Sequence, residues 1–276
     1  MSSEAPGRPS FSLKGRLAVV TGASEGIGRS LALAFAAAGA RLALVSRAPE
    51  RLGELVASSE ALGAEAHTYQ ADVCLRAEIE RLARAVTAGQ GAAAILVNSA
   101  GAPLTKPAFD VSEEDWDLVL DTGLKGMFFT CLAFGRTMAE QGYGKIINLG
   151  STYCESVAHG KSVYAIAKAG VAHLTRALAL EWAPLGVRVN ALAPTLTVTP
   201  TRQVVLADQE RMKSILARRC ASRRSGHSAV ADDPWSARRA PSGIQGARGA
   251  GGRSRAAGFA RAALCRSTGS AGATAR

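Results

Sequence analysis

The sequence predicts a doubly wound α/β fold, in which helices cover both faces of a parallel sheet. Six short apolar segments alternate with segments whose apolar residues recur at helical spacing. The strand candidates are apolar throughout, as expected for strands buried on both faces. A chain of 276 residues with 47% hydrophobic composition suffices for one large core and is too short for two.

The predicted elements follow one another in strand–helix order. The first strand candidate is the short apolar run RLAVVT, and the helix after it repeats apolar residues at helical spacing until Gly39 ends it. Because each strand is followed by a helix, the connections are crossovers and the strands run parallel. The predicted strands are residues 16–21, 41–45, 66–70, 94–98, 145–149 and 187–192. The predicted helices are residues 27–38, 50–62, 76–87, 162–183 and 204–217, with further helices beyond residue 98.

The net charge of +11 is concentrated at one end of the chain. Residues 214–276 hold twelve Arg, no Lys and two Asp, which is +10 and leaves +1 for residues 1–213. We therefore predict a flexible leader at 1–13, a folded domain at 14–217 and a tail at 218–276 rich in Arg, Ala, Gly and Ser. Large apolar residues are rare in the tail, so we expect it to be disordered.

The cysteines and the apolar runs exclude some classes of protein. The five cysteines are scattered, with no C-x-x-C pair and no cluster with the four histidines, so we expect free thiols and no metal site. No run of about 18 uninterrupted apolar residues and no export signal is found. We expect a cytoplasmic protein without a membrane segment.

A glycine-rich turn, TGASEGIG at residues 21–28, follows the first predicted strand. Gly22, Gly26 and Gly28 allow a tight turn and a close approach of the backbone to a phosphate, and the next helix offers unpaired N–H groups. Ligands of such folds bind at the carboxyl ends of the strands, where this turn lies. The turn predicts a phosphate cradle, and a glycine-rich turn without a ligand is the alternative.

The second strand ends at Ser46 and Arg47. A small hydroxyl followed by a guanidinium suits a ribose 2′-phosphate, whereas an acid at this position would suit a free 2′-hydroxyl. NADP(H) is therefore favoured over NAD(H). NAD(H) stays as the alternative, because Arg47 could instead pair with Glu50, and Glu25 would oppose a phosphate.

Tyr164 and Lys168 lie four positions apart in the predicted helix at 162–183, so they share one helix face. The pKa of tyrosine is about 10, and a neighbouring cation lowers it by stabilising the phenolate. The pair predicts a proton-donating tyrosine whose pKa is lowered by the neighbouring lysine. An ordinary surface contact is the alternative interpretation.

Six motifs occur in a characteristic order: TGASEGIG, ADV at 71–73, NSAG at 98–101, Ser151, YAIAK at 164–168 and VNALAP at 189–194. With them, residues 14 to about 217 resemble the classical short-chain dehydrogenase/reductase family, nearest to its gluconate 5-dehydrogenase-like and 3-oxoacyl reductase-like members. The resemblance implies a Rossmann-type sheet and a homo-oligomer. It also implies hydride transfer between NADP(H) and a carbonyl or secondary alcohol of a sugar acid or polyol. A 3-oxoacyl thioester reductase and an impaired dinucleotide-binding remnant are the alternatives.

The resemblance also assigns roles to single residues. Tyr164 would exchange the proton, Lys168 would lower the pKa of Tyr164, and Ser151 would hydrogen-bond the reacting oxygen. The implied cofactor contacts are Gly22, Ser24, Gly26, Ile27, Gly28, Ser46, Arg47, Asp72, Val73, Asn98, Tyr164, Lys168 and Thr199.

Two departures from the family pattern put full activity in question. Gly123 stands where the family commonly has an asparagine that orients a water in the proton relay. Residues 218–276 contain no pattern for the family's seventh strand and glycine-rich end, and their composition is that of a GC-rich gene read in a shifted frame. A genuine basic extension is the alternative; its twelve Arg would bind polyanions loosely, although no nucleic-acid recognition motif is present.

Overall fold

The structure, a computed structural model, describes residues 11–195 and residue 197. Within them, six parallel strands form one sheet in the order β3-β2-β1-β4-β5-β6. This is the strand order of a doubly wound dinucleotide-binding sheet, so the predicted fold class is confirmed. The strands are β1 (Leu17–Thr21), β2 (Arg41–Ser46), β3 (Ala66–Gln70), β4 (Ile95–Asn98), β5 (Gly144–Leu149) and β6 (Val187–Leu192).

Helices connect the strands on both faces of the sheet. They are α1 (Gly26–Ala37), α2 (Gly53–Ala61), α3 (Arg76–Gln90), α4 (Glu113–Leu120), α5 (Gly126–Glu140) and α6 (Ser162–Trp182). Short 3₁₀ turns precede α2 and follow β5, at Pro49–Leu52 and Thr152–Cys154. The predicted strands, and the predicted helices up to residue 183, agree with these bounds to within a few residues. The predicted helix at 204–217 lies outside the described residues.

Two apolar clusters hold the layers together. On one face of the sheet, Ala32 and Ala36 of α1 and Leu55 of α2 pack against the central strands. On the other face, side chains of α3, α5 and α6 bury Phe134 and Val171 against them. The central strand β1 is buried along its whole length, as its apolar sequence predicts.

The prediction that all strands are apolar and covered is wrong for β3. Its sequence AHTYQ has no fully buried residue, and it forms an edge of the sheet. An edge strand has one neighbour only, so it needs less apolar surface than a central strand. At the other edge of the described sheet lies β6; the predicted absence of a seventh strand concerns residues outside the described part.

The helical run from Glu113 to Glu140 is long and apolar enough, by length and composition, to cross a membrane. This differs from the expectation drawn from uninterrupted apolar runs. Its apolar residues include Cys131, Phe134 and Met138, which are buried in the core cluster under the sheet. The core position of the run accounts for its composition.

The strand register brings the chemically interesting residues to one edge. Thr21 at the end of β1 is paired with Asn98 at the end of β4, and Asn98 is paired with Asn148 of β5. Because all strands are parallel, their carboxyl ends meet at this edge, and the loops that follow them lie side by side.

Candidate functional site

The glycine turn at residues 21–28 has a backbone that only glycine tolerates at several positions. Gly22 and Gly26 have φ values of +65° and +58°. A Cβ atom at Gly28 would lie 2.3 Å from the carbonyl oxygen of Gly22. Glu25 occupies the N-cap position of α1, but its side chain makes no capping hydrogen bond. The first N–H groups of α1 therefore lack a side-chain cap, as a phosphate cradle requires.

The segment after β4 is packed against this turn. The Thr21 Oγ1 atom accepts a hydrogen bond from the N–H of Ser99 at 3.3 Å. A Cβ atom at Gly22 would lie 2.7 Å from the nitrogen of Ala100. The two motifs TGASEGIG and NSAG thus form one contiguous surface at the carboxyl edge of the sheet.

Asn98 lies beneath that surface, in a buried polar network. Its Nδ2 atom donates to Asn148 Oδ1 at 2.9 Å and to Cys131 Sγ at 3.2 Å. Asn148 in turn donates to Thr175 Oγ1 of α6 at 3.0 Å. Burial raises the pKa of the Cys131 thiol to about 12, so it stays a neutral partner. The network ties β4, β5 and α6 together, and sequence spacing contained no signal for it.

Ser46 and Arg47 lie at the end of β2, as predicted. Ser46 Oγ accepts the N–H of Ala48 at 3.2 Å, and Arg47 is exposed. Among the ion pairs of the described residues, none joins Arg47 to Glu50. Glu25 instead pairs with Arg51, with 3.3 Å between the guanidinium and the carboxylate.

Arg51 was not among the predicted site residues, although its 3₁₀ turn begins two residues after Arg47. By pairing with Glu25 it offsets the negative charge next to the glycine turn. Because both side chains are exposed, the pair weakens only modestly the repulsion between Glu25 and a phosphate there.

Asp72 and Val73 follow β3. The Asp72 side chain accepts the N–H of Cys74 at 2.9 Å, and its backbone N–H donates to Glu78 at 2.7 Å. Val73 is buried, and a Cβ atom at Gly126 would lie 2.3 Å from its carbonyl oxygen. The turn is therefore held rigidly between α3 and the start of α5.

Ser151 lies two residues after the end of β5 and is buried. Its Oγ atom accepts the N–H of Tyr153 at 3.2 Å. The Tyr153 ring packs edge-on against the Tyr164 ring, with 5.9 Å between the centroids. The structure thus connects Ser151 with Tyr164 through Tyr153, a residue that sequence reasoning did not select.

Lys168 is buried under the same edge of the sheet. Its Nζ atom donates to the carbonyl oxygen of Leu149 at 2.6 Å and lies 5.7 Å from the centroid of the Tyr164 ring. A Cβ atom at Gly101 would be 3.9 Å from it. Burial lowers the pKa of Lys168 from 10.5 to about 8. Below about pH 8, Lys168 is therefore a desolvated ammonium group next to the Tyr164 ring.

Gly123 lies in a π-helical turn, Asp121–Lys125, between α4 and α5. It is buried, and a Cβ atom there would have only Ala167 Cβ near it, at 4.0 Å. Ala167 precedes Lys168, so Gly123 faces α6 close to the Tyr164–Lys168 pair. The sequence did not predict the π turn.

The remaining predicted residues have simple placements. Ser24 and Ile27 are half-buried in and after the glycine turn. Thr199 lies outside the described residues. Within the described part of the chain, no three His, Cys, Asp or Glu side chains come close enough together to hold a metal ion.

Comparison with known proteins gives a consistent result. The family model described as short chain dehydrogenase matches residues 16–210. The chain is 40% identical over 192 residues to D-threitol dehydrogenase of Mycolicibacterium smegmatis, covering 68% of this chain and 73% of that protein. It is 36% identical over 200 residues to gluconate 5-dehydrogenase of Gluconobacter oxydans, covering 72% and 78%.

A solved structure of a metagenomic short-chain oxidoreductase in complex with NADP is 32% identical. It superimposes with a TM-score of 0.65 and covers 67% of this chain and 84% of that one. The family match spans both the glycine turn and the helix with Tyr164 and Lys168. This chain therefore belongs to the short-chain dehydrogenase family of NAD(P)-dependent oxidoreductases.

Proposed function

We propose that the protein interconverts a carbonyl and a secondary alcohol of a sugar acid or polyol, with NADP(H) as the cofactor. The observation that carries the proposal is the buried Lys168, whose ammonium lies 5.7 Å from the Tyr164 ring centroid at the edge of the sheet that carries the glycine turn. A tyrosine next to a desolvated cation is suited to proton exchange with a substrate oxygen. The names of the two relatives support a polyol or a sugar acid as the substrate.

Residues of the glycine turn would hold the cofactor's phosphates against the start of α1. The glycine turn fits a pyrophosphate, because its backbone passes so close to Gly28 that a side chain there would force the turn apart. In our assignment Ser24 and Ile27 line this cradle, Asp72 and Val73 contact the adenine, and Asn98 supports the ribose side of the site. Thr199 is assigned to the carboxamide from the family resemblance alone.

A cofactor held in this way would supply or take up the hydride at the substrate carbon. Tyr164 then supplies the proton to the substrate oxygen in reduction, or removes it in oxidation. Ser151 donates a hydrogen bond to the same oxygen while charge develops on it. Lys168 stabilises the phenolate form of Tyr164 through its positive charge.

The preference for NADP(H) is proposed on the basis of the residues after β2. Ser46 carries no negative charge, and the exposed Arg47 can reach a 2′-phosphate. The pairing of Glu25 with Arg51 reduces repulsion of that phosphate. NAD(H) stays as the alternative, because the exposed Arg47 could instead be an ordinary solvated cation.

The decisive experiment compares the parent with Tyr164→Phe in a screen of NADPH oxidation against 5-ketogluconate, small diketones and an acetoacetyl thioester. Tyr164→Phe should lose carbonyl reduction and keep NADPH affinity, since only the transferable proton is removed. Tyr143→Phe is the matched control, because Tyr143 precedes β5 and its ring packs under Arg16 at the amino end of the strands, away from the site. Equal turnover by the parent and Tyr164→Phe would refute the mechanism.

Gly123 supports a second candidate, an impaired dinucleotide-binding remnant. The position faces α6 next to the proposed proton exchange, and glycine has no side chain to orient a water. Tight NADPH binding without turnover on any substrate in the screen would favour this candidate. Turnover of the acetoacetyl thioester alone would indicate a 3-oxoacyl thioester reductase.

We further propose that the catalytic domain spans residues 14–217, between the leader at 1–13 and the tail at 218–276. The family match at 16–210 is compatible with these limits. Resequencing the gene and translating the region after residue 217 in the other two frames tests the shifted-frame hypothesis. A native tail is indicated if neither frame encodes a helix, a β-branched strand and a glycine-rich end.

A homo-oligomer is expected from the family resemblance. A mostly apolar hollow lies between the end of α4, the π turn, α5 and α6, and it is lined by Leu120, Leu124, Lys125, Phe128, Phe129 and Leu174. A second copy of the chain could cover this hollow. Light scattering over a range of concentrations would give the mass, and a constant monomer mass would refute the proposal.

We expect the protein to act in the cytoplasm on small molecules.

A further inference from the structure

We propose that Tyr153 is a positioning residue that aligns Ser151 and Tyr164 on the same substrate oxygen. Its backbone orients the Ser151 hydroxyl, and its ring restricts the orientation of the Tyr164 ring. The inference rests on the proposed function, in which Ser151 and Tyr164 both contact that oxygen. Neither the sequence motifs nor the family resemblance assigned a role to Tyr153.

The backbone of Tyr153 is bonded to the Ser151 side chain. Its N–H donates to Ser151 Oγ at 3.2 Å, which makes Ser151 the side-chain cap of the 3₁₀ turn Thr152–Cys154. This bond uses a lone pair of the hydroxyl oxygen and not its hydrogen. The hydrogen is the atom that Ser151 has to donate to a substrate oxygen. The contact therefore orients the hydroxyl without using its donor.

The side chain of Tyr153 contacts the proposed proton-exchanging group. Its ring lies edge-on to the Tyr164 ring, with 5.9 Å between the centroids and 81° between the planes. These values are typical of favourable edge-to-face aromatic pairs. Such a pair depends on the angle between the two rings, whereas an aliphatic neighbour only fills space. Tyr153 therefore favours one orientation of the Tyr164 ring.

The 3₁₀ turn that carries Tyr153 is held by backbone hydrogen bonds. The Cys154 N–H donates to the carbonyl oxygen of Ser151 at 3.0 Å, and the Thr152 N–H donates to that of Pro194 at 3.3 Å. Pro194 follows β6, so the turn after β5 is tied to the segment after the neighbouring strand. A side chain can position its neighbours only if its own backbone is fixed, and this turn meets that condition.

Ser151 and Tyr164 belong to different elements, the segment after β5 and helix α6. The relative position of their hydroxyls therefore depends on contacts between these elements, and Tyr153 makes one contact with each residue. A misplacement of about 1 Å can cost on the order of 100-fold in rate. A residue that holds both groups is thus in a position to set the rate of proton exchange without touching the substrate.

Two substitutions separate the ring of Tyr153 from its hydroxyl and its bulk. Tyr153→Phe keeps the aromatic ring and removes the hydroxyl, whereas Tyr153→Leu keeps an apolar side chain and removes the ring. Both keep the N–H that bonds Ser151. Tyr143→Leu is the matched control, because Tyr143 is also half-buried and its ring lies under Arg16 at the amino end of the strands.

The kinetic test uses NADPH and the substrate that the screen identifies. We expect Tyr153→Leu to lower kcat about two- to tenfold, the range that the loss of one aromatic pair predicts. NADPH affinity should stay unchanged, because the glycine turn is not altered. Tyr153→Phe and Tyr143→Leu should keep the kcat of the parent. The solvent deuterium isotope effect on kcat should rise in Tyr153→Leu alone, since a misaligned Tyr164 slows the proton transfer.

A second measurement needs no substrate. The chain holds four tyrosines, so ¹³C-labelled tyrosine gives four sets of ring signals in NMR spectra, and Tyr164→Phe identifies the set of Tyr164. Relaxation dispersion then gives the rate at which the Tyr164 ring flips. We expect this rate to be the same in the parent and Tyr153→Phe, and at least about twofold higher in Tyr153→Leu.

Three results would overturn the proposal. Tyr153→Leu matches the parent in kcat or in the rate of ring flipping; Tyr153→Phe loses as much activity as Tyr153→Leu, which would assign the effect to the hydroxyl; or Tyr153→Leu loses NADPH affinity by the same factor as kcat, which would indicate a general distortion. If Tyr153→Leu fails to fold by circular dichroism, Tyr153→Met carries the test. A parent without turnover on any substrate would refute the proposed function, and the rate of ring flipping would then decide the role of Tyr153.

Discussion

Replacing Gly28 with alanine adds one methyl group at the most crowded point of the glycine turn. The new Cβ atom would lie 2.3 Å from the carbonyl oxygen of Gly22 and 3.0 Å from the Ser99 hydroxyl. An ordinary contact needs roughly 1 Å more, so the Gly22 carbonyl has to move by about that distance. Gly22 cannot yield easily, because a Cβ atom built on it would already lie 2.7 Å from the backbone nitrogen of Ala100.

The displacement should weaken cofactor binding more than it weakens the fold. Overpacking a well-packed site costs about 1–3 kcal/mol of stability. A phosphate cradle whose backbone moves by about 1 Å loses its aligned N–H donors, and a misplacement of this size can cost on the order of 100-fold in function. We therefore expect Gly28→Ala to bind NADPH at least about tenfold more weakly, which is about 1.4 kcal/mol.

The assay measures NADPH affinity by fluorescence titration and stability by denaturant unfolding, with Gly53→Ala as the control. Gly53 is exposed, has helical backbone angles, and a Cβ atom there would have nothing within 4 Å. Gly53→Ala should therefore stabilise the protein by about 0.4–1 kcal/mol and leave NADPH affinity unchanged. The reasoning fails if Gly28→Ala binds NADPH as tightly as the parent.

Three further predictions concern other parts of the site. Arg47→Asp should shift preference from NADPH toward NADH in competition kinetics, and an unchanged preference would remove Arg47 from the site. Gly123→Asn should raise kcat if the proton relay is impaired, because Ala167 leaves room for a Cβ atom at 4.0 Å; a flat or lower rate would count against that relay. Lys168 has a pKa of about 8, below its ordinary 10.5, so the folded state binds fewer protons between these values. The difference in the free energy of unfolding between the parent and Lys168→Met should therefore shift in favour of the parent by up to about 3 kcal/mol as the pH rises from 8 to 10.5. If this difference does not change with pH, Lys168 is not desolvated.

Local patterns were sufficient to predict most of the fold. Strand and helix periodicity located β1 and α1 to within a residue or two, because burial on both faces leaves a continuous apolar run and a helix leaves a 3.6-residue repeat. The same reasoning was wrong about β3, whose edge position depends on the strand order. It also did not predict the π turn at Asp121–Lys125, which interrupts one long helical run.

The sequence by itself determined the residue types of the site and the spacing of its local pairs. Tyr164 and Lys168 share a helix face whatever the rest of the fold does, and Gly22, Gly26 and Gly28 are needed for a turn of that geometry. These inferences depend on contacts between residues a few positions apart in the chain, where the helix or turn geometry is known in advance.

Only the tertiary structure decided which distant groups meet. The sheet order brings Leu149 over Lys168, Arg51 to Glu25, and Leu104 to Lys161, over separations of 19, 26 and 57 residues. Such contacts depend on the packing of loops after different strands, which periodicity does not encode. For the same reason, the lowered pKa of Lys168 follows from burial under β5, because the cost of desolvating a charge is set by all the atoms around it and not by its neighbours in the chain.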